Sequence, residues 1–197
     1  MESPIRINRS NGSEHIPGES GNGIFGFTVF LLSESVVFIS FFVTYIILRL
    51  TSHHWLPPGV QGLEIAKPAF NTVVLVSSSF VIYFAERALE QRQLKKFRLL
   101  WLITSAMGTY FLVGQAIEWN SLSFGLTTGL FGATFYLLTG FHGLHVFVGI
   151  LLQIIMLARS FTPGNYRSGH FGVSATSLFW HFVDVIWVIL FSLVYIW

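Results

Sequence analysis

The sequence predicts an all-α integral membrane protein, a bundle of five transmembrane helices. Three observations carry that expectation. Charged residues are only 10% of the 197 while hydrophobic ones are 53%, and a soluble domain carries about a quarter charged residues. The 21 Phe and 6 Trp bring more apolar surface than a soluble chain of this size could enclose behind a polar skin. Five apolar stretches approach or exceed the roughly 20 residues that cross a hydrocarbon core about 30 Å thick. In lipid every backbone amide must be bonded internally, so these stretches are helices. The composition argues against a soluble enzyme, a disordered regulator and a nucleic-acid binder. The formal charge of +2 is too small to mark a nucleic-acid partner. With no Cys, disulfides, iron–sulfur clusters, thiolate metal sites and covalent haem attachment are excluded.

Residues 1–22 read as a polar cytoplasmic tail, with Asn11, Gly12, Ser13, Pro17, Gly18, Ser20 and Gly21. They lack the short apolar core and cleavage site of a signal peptide. Residues 23–197 form the transmembrane domain. Its first span covers about 24–49, broken by Glu34, and the second about 68–87. Pro57, Pro58, Gly59 and Gly62 punctuate the loop between them. The third span covers about 98–117. A polar, Gly-bearing stretch from Asn120 to Thr128 follows, so the fourth span starts near Gly129 and runs to about 158. Pro163, Gly164, Asn165 and Gly169 mark the last loop, and the fifth span covers about 175–197. No internal repeat is visible, which removes support for an inverted-repeat transporter.

Lys and Arg near the span ends set orientation. Arg6, Arg9, Arg87, Arg92, Lys95, Lys96, Arg98, Arg159 and Arg167 fall on one side, and only Arg49 and Lys67 on the other. The amino terminus is expected in the cytoplasm and Trp197 on the far side.

A charge at mid-membrane costs a few kcal/mol even on gentle insertion scales, so each polar group inside a span needs an explanation. Glu34 lies roughly 15 Å along the first span. It reads as a protonated acid bonded to a neighbouring helix, or as a proton relay or gating group. His142 and His145, three apart on the fourth span, are expected on one helix face. They could bind a metal, ligate haem or join an interhelical hydrogen-bond network, and two His are too few for a closed zinc site. His181 and Asp184 are expected as a structural pair in which Asp accepts from His, bracketed by Trp180 and Trp187 as packing. Gln115 and Glu118 close the third span at the same spacing. Gly132, Gly140 and Gly143 would admit a close helix. Arg159 follows the fourth span, where it can snorkel or grip a lipid phosphate.

Three long motifs occur in order: Phe30-Leu-Leu-Ser-Glu-Ser-Val-Val-Phe-Ile-Ser-Phe-Phe, Thr139-Gly-Phe-His-Gly-Leu-His-Val and Phe179-Trp-His-Phe-Val-Asp-Val-Ile-Trp. Together with Gln115-Ala-Ile-Glu-Trp and His170-Phe-Gly, they resemble subunit III of haem–copper terminal oxidases from about residue 24 onward. The run from Asn71 to Ser79 and the five-span length look most like the cyanobacterial cytochrome c oxidase version. Relative to the mitochondrial form two amino-terminal spans are missing, and with them the deep lipid-filled cleft is in doubt. The resemblance implies a subunit without haem or copper, these lying in partner subunits. It would pack on the catalytic subunit I beside subunit II, support stability and proton uptake, and bind phospholipid. A cytochrome c-type donor would act on the complex. Glu34 matches the family's carbodiimide-reactive acid, and Arg159 matches an arginine on lipid phosphate. His142, His145, His181, Asp184, Gln115 and Glu118 match recurring intramembrane polar positions. The expected location is a bacterial plasma membrane or thylakoid membrane.

The residues agree with such a subunit. Two haems and a copper need six His in the catalytic subunit, and only His142, His145 and His181 lie within spans here. The alternatives are subunit III of a quinol oxidase, a small dihaem cytochrome short of axial ligands, and a proton-coupled carrier using Glu34. Glu34 is expected to bond a fourth-span histidine, His145 in preference to His142.

Overall fold

The computed structural model describes residues 19–56, 63–162, 166 and 170–197. It holds five helices: α1 (Glu19–Thr51), α2 (Ala66–Glu90), α3 (Leu94–Ser121), α4 (Gly129–Ser160) and α5 (Phe171–Phe191), the last prolonged by a π-helical turn, Ser192–Ile196. All five are long and apolar enough to cross a membrane, and the described residues contain no strand. The basic residues Arg6, Arg9 and Arg167 and the Pro/Gly punctuation of the first and last loops lie outside the described residues.

Each helix outruns its apolar stretch, because extending a formed helix adds one hydrogen bond per residue fixed. At the amino terminus α1 reaches back to Glu19, into the stretch expected as tail. Pro68 is third in α2, where the missing N–H would lack an intrahelical partner anyway. The turn between α2 and α3 is a Schellman closure. Gln93 N–H donates to Ala88 O at 2.9 Å and Arg92 N–H to Leu89 O at 2.9 Å. It places Arg92 at a φ of 59°, a left-handed conformation usually left to glycine. Gly129 takes a φ of 70° as α4 begins, next to a Thr128 hydroxyl that accepts the Gly125 N–H at 2.9 Å. The expected start of the fourth span therefore coincides with a real backbone requirement for glycine.

Helices α2 to α5 pack as a four-helix bundle, with α2 against α3 and α5, and α4 against α3 and α5. Helix α1 lies outside it, against α5 and α4. Large side chains from Phe25 through Val36 and Val43 to Leu50 leave one face of α1 exposed. Helix α5 is the most enclosed of the five, and two tryptophans on it build the core.

Trp180 and Trp187 are seven residues apart and both fully buried. The Trp180 indole enters a slot between Gly108 on α3 and Gly149 on α4. A Cβ at these positions would lie 2.4 Å and 2.8 Å from ring carbons. Trp180 Nε1 donates to Ser78 Oγ at 2.8 Å. Two turns on, Trp187 Nε1 donates to Thr72 Oγ1 at 2.9 Å, and the ring meets Phe111 edge-on at 4.7 Å. Each indole N–H thus finds a partner, which burial in an apolar bundle demands. Gly140 and Gly143 face Trp119 and Leu112 of α3, whereas Gly132 meets the Gly125 carbonyl of the preceding loop rather than a helix.

Candidate functional site

Most of the sequence-predicted polar residues inside the spans meet at three places. The first lies between α1 and α4. His145 Nδ1 sits 2.9 Å from the Phe141 carbonyl, and a carbonyl can only accept, so Nδ1 carries a hydrogen. His145 Nε2 lies 3.2 Å from Glu34 Oε2, the expected contact. A neutral ring has no second N–H, so Nε2 accepts from a protonated Glu34, or else a protonated ring donates to the carboxylate. Both arrangements hold one proton between the two residues. Phe38, Phe141 and Phe179 surround the imidazole. The Glu34 side chain remains about a quarter exposed, at 24%.

His142 does not share this environment. The spacing of three led to an expected common face with His145. Instead His142 points into the bundle, 4.8 Å from the Trp187 ring and 5.9 Å from Phe111. It is fully enclosed, and neither ring nitrogen has a hydrogen-bond partner among the described residues. A step of three turns the helix by about 60° from alignment. At the seam of three helices, that rotation decides which neighbour each ring meets.

The second place is between α2 and α5. His181 and Asp184 were expected to bond each other, and Ser79 of α2 joins them instead. Ser79 Oγ bonds Asp184 Oδ2 and lies 3.0 Å from His181 Nδ1. Asp184 is buried while His181 is half-buried. Glu86 of α2 is within electrostatic reach of His181.

The third place is the end of α3. Gln115 Nε2 donates to Glu118 Oε2 at 3.2 Å, beside the Tyr195 hydroxyl of the π-helical turn. The far ends of α3 and α4 are also tied. Arg98 bonds the hydroxyl and carbonyl of Ser160 and lies over the Phe161 ring at 4.3 Å. Arg159 is exposed, with its guanidinium near Gly172 and Tyr166. Tyr166 donates to the Met156 carbonyl at 2.7 Å, and burial raises its hydroxyl above the ordinary 10.0.

Sequence reasoning missed Thr72, Ser79 and Glu86. Their spacing of seven along α2 puts all three on the side facing α5, and that repeat was the available signal. It also missed Gly108 and Gly149, whose role depends on a tryptophan from a third helix.

The family model for "Cytochrome c oxidase subunit III" matches residues 11–197. The chain is 44% identical over 192 residues to "Cytochrome c oxidase subunit 3" of Synechocystis sp., covering 93% of this chain and 82% of the relative. It is 46% identical over 174 residues to the same-named protein of Thermostichus vulcanus, covering 88% and 86%. To that of Papio hamadryas it is 38% identical over 183 residues, covering 88% and 69%. With the motifs on α1, α4 and α5 placed around one bundle, these matches show that the chain belongs to the cytochrome c oxidase subunit III family.

Proposed function

We propose that the chain is the non-redox subunit III of a respiratory oxidase. It packs on the subunit that reduces oxygen to water and keeps that subunit stable during turnover. It supports proton uptake and binds phospholipid. The family match over residues 11–197 carries this reading. The site geometry supports it. The three intramembrane histidines diverge: His142 lies among aromatic rings, His145 beside Glu34 and His181 beside Ser79. In this reading haem and copper belong to partner subunits, and a cytochrome c-type donor reduces the complex.

The exposed apolar face of α1 suits lipid chains or a partner helix. Arg159, exposed at the end of α4, has the chemistry to hold a lipid phosphate. The basic residues of the α2–α3 turn support a cytoplasmic position for that end of the bundle. The chain is multi-pass, in a bacterial plasma membrane or thylakoid membrane.

The test is a complex assembled without this chain. It should reduce oxygen at first and lose activity over repeated turnover, and adding the chain back should restore its endurance. A stripped complex that works as long as the intact one, or one that loses its haem with this chain, would contradict the reading. A subunit II without copper-binding cysteines would assign the chain to a quinol oxidase.

A further inference from the structure

The cluster between α2 and α5 has a hydrogen-bond arithmetic that constrains what it can do. Ser79 has one hydroxyl hydrogen and two neighbours, His181 Nδ1 and Asp184 Oδ2. It can donate to only one of them, so it must accept from the other. Two arrangements satisfy this. In one, Nδ1–H donates to Oγ and the hydroxyl donates to the Asp184 carboxylate. In the other, a protonated Asp184 donates to Oγ and the hydroxyl donates to Nδ1. They differ by one proton moved from ring to carboxyl.

The surroundings are asymmetric. Asp184 is buried, its Oδ1 has no hydrogen-bond partner among the described residues, and Ser79 hydrogen-bonds its Oδ2. His181, three residues nearer the start of α5, is half-buried. Glu86 stands two turns beyond Ser79 on α2, toward the end that carries Arg87 and Glu90. The other ionisable groups on the helices packed against α5 include Lys67, Tyr83, Arg87 and Glu90 on α2, Glu34, Tyr45 and Arg49 on α1, and Tyr136, His142, His145 and Arg159 on α4. Glu34 and His145 are occupied with each other, and Arg49 is held by Tyr45 and Trp197. Glu86 acts electrostatically on His181, favouring the charge of its protonated form.

We propose that His181, Ser79 and Asp184 form a proton-uptake site, with Ser79 as the relay and Asp184 as the store. A proton arriving from the Glu86 side adds to His181 Nε2. The Nδ1–H bond breaks as its proton passes to Ser79 Oγ, and the former hydroxyl proton forms the O–H bond of Asp184. The ring ends neutral with its hydrogen on Nε2, Ser79 keeps one hydrogen, and the carboxylate becomes a carboxylic acid. Release is the reverse. Glu86 attracts protons to the entry. The site goes beyond the subunit reading and would work whether or not the chain sits in an oxidase.

Asp184 is the one aspartate of the 197 residues, which makes the test direct. The full chain, grown with carboxyl-labelled aspartate and held in lipid nanodiscs, gives an infrared signal from this residue alone. The expected result is a labelled carboxylic-acid band that shifts after transfer to heavy water. In Ser79→Ala that exchange should slow by about tenfold or more, as loss of a positioned proton carrier does. Ser79→Thr should exchange like the parent. His181→Gln, which removes the entry base and keeps the hydroxyl, should also slow. A labelled group that stays a carboxylate throughout the stable pH range overturns the proposal. So does exchange at the parent rate in either slowed variant.

Discussion

At the scale of single residues, the bundle depends on what two glycines lack. Gly108 and Gly149 leave the space that Trp180 fills. Gly108→Ala should destabilise the protein by about 1–3 kcal/mol, the usual effect of overpacking a close-packed core, and lower its thermal unfolding midpoint by circular dichroism. Gly26 lies inside α1 where an added Cβ meets nothing, and as the control Gly26→Ala should hold the midpoint or raise it slightly. Glu34 gives a second residue-scale contrast. Glu34→Gln keeps a donor for His145 Nε2, so stability should barely change. Glu34→Ala leaves a polar ring atom without its partner, at a cost of about 1–3 kcal/mol. Denaturation in mixed detergent would rank the two. The sequence identified Glu34, His145, His181 and Asp184 as groups needing partners, because charge and polarity inside an apolar run stand out. It did not identify Ser79, because a serine in a membrane helix usually bonds its own backbone, as Ser78 does to Leu75. Nor could it place His142, whose surroundings are rings from α3 and α5.

At the scale of elements, the connections hold testable strain. Arg92 closes the α2–α3 turn in a left-handed conformation. Arg92→Gly should stabilise the protein by about 1 kcal/mol by removing the Cβ conflict, visible as a raised unfolding midpoint. Between α4 and α5, Tyr166 holds the Met156 carbonyl. Burial favours the neutral phenol. The folded group therefore ionises at higher pH than the unfolded one. Its contribution is complete below pH 10.0 and falls as pH rises through the raised folded value. Tyr166→Phe should cost about 1 kcal/mol near neutrality, and its deficit against the parent should shrink at strongly alkaline pH. Paired melts at neutral and alkaline pH would read this out. Element ends were the least legible feature. Hydropathy marks where apolar residues stop, whereas a helix continues until a cap or turn ends it, as at Gln91–Gln93 and Gly129.

At the scale of the whole molecule, the five membrane-spanning helices were legible because lipid leaves few solutions for five long apolar stretches. The arrangement was less so. Nothing local says that α5 lies at the centre or that α1 stands outside. That order follows from Trp180 and Trp187 finding Ser78 and Thr72 on α2 and their slot and stacking partners on α3 and α4. The exposed face of α1 and the modest internal polar clusters suit a subunit that works by association. The measurement that tests this most directly is gentle purification of the tagged chain from native membranes. A reduced-minus-oxidised spectrum is then recorded, and the partner chains are identified. The account predicts haem signals that travel with a large histidine-rich partner and are absent from this chain once it is separated. Haem that stays with the separated chain, or a chain that purifies alone without haem or partner, would contradict it.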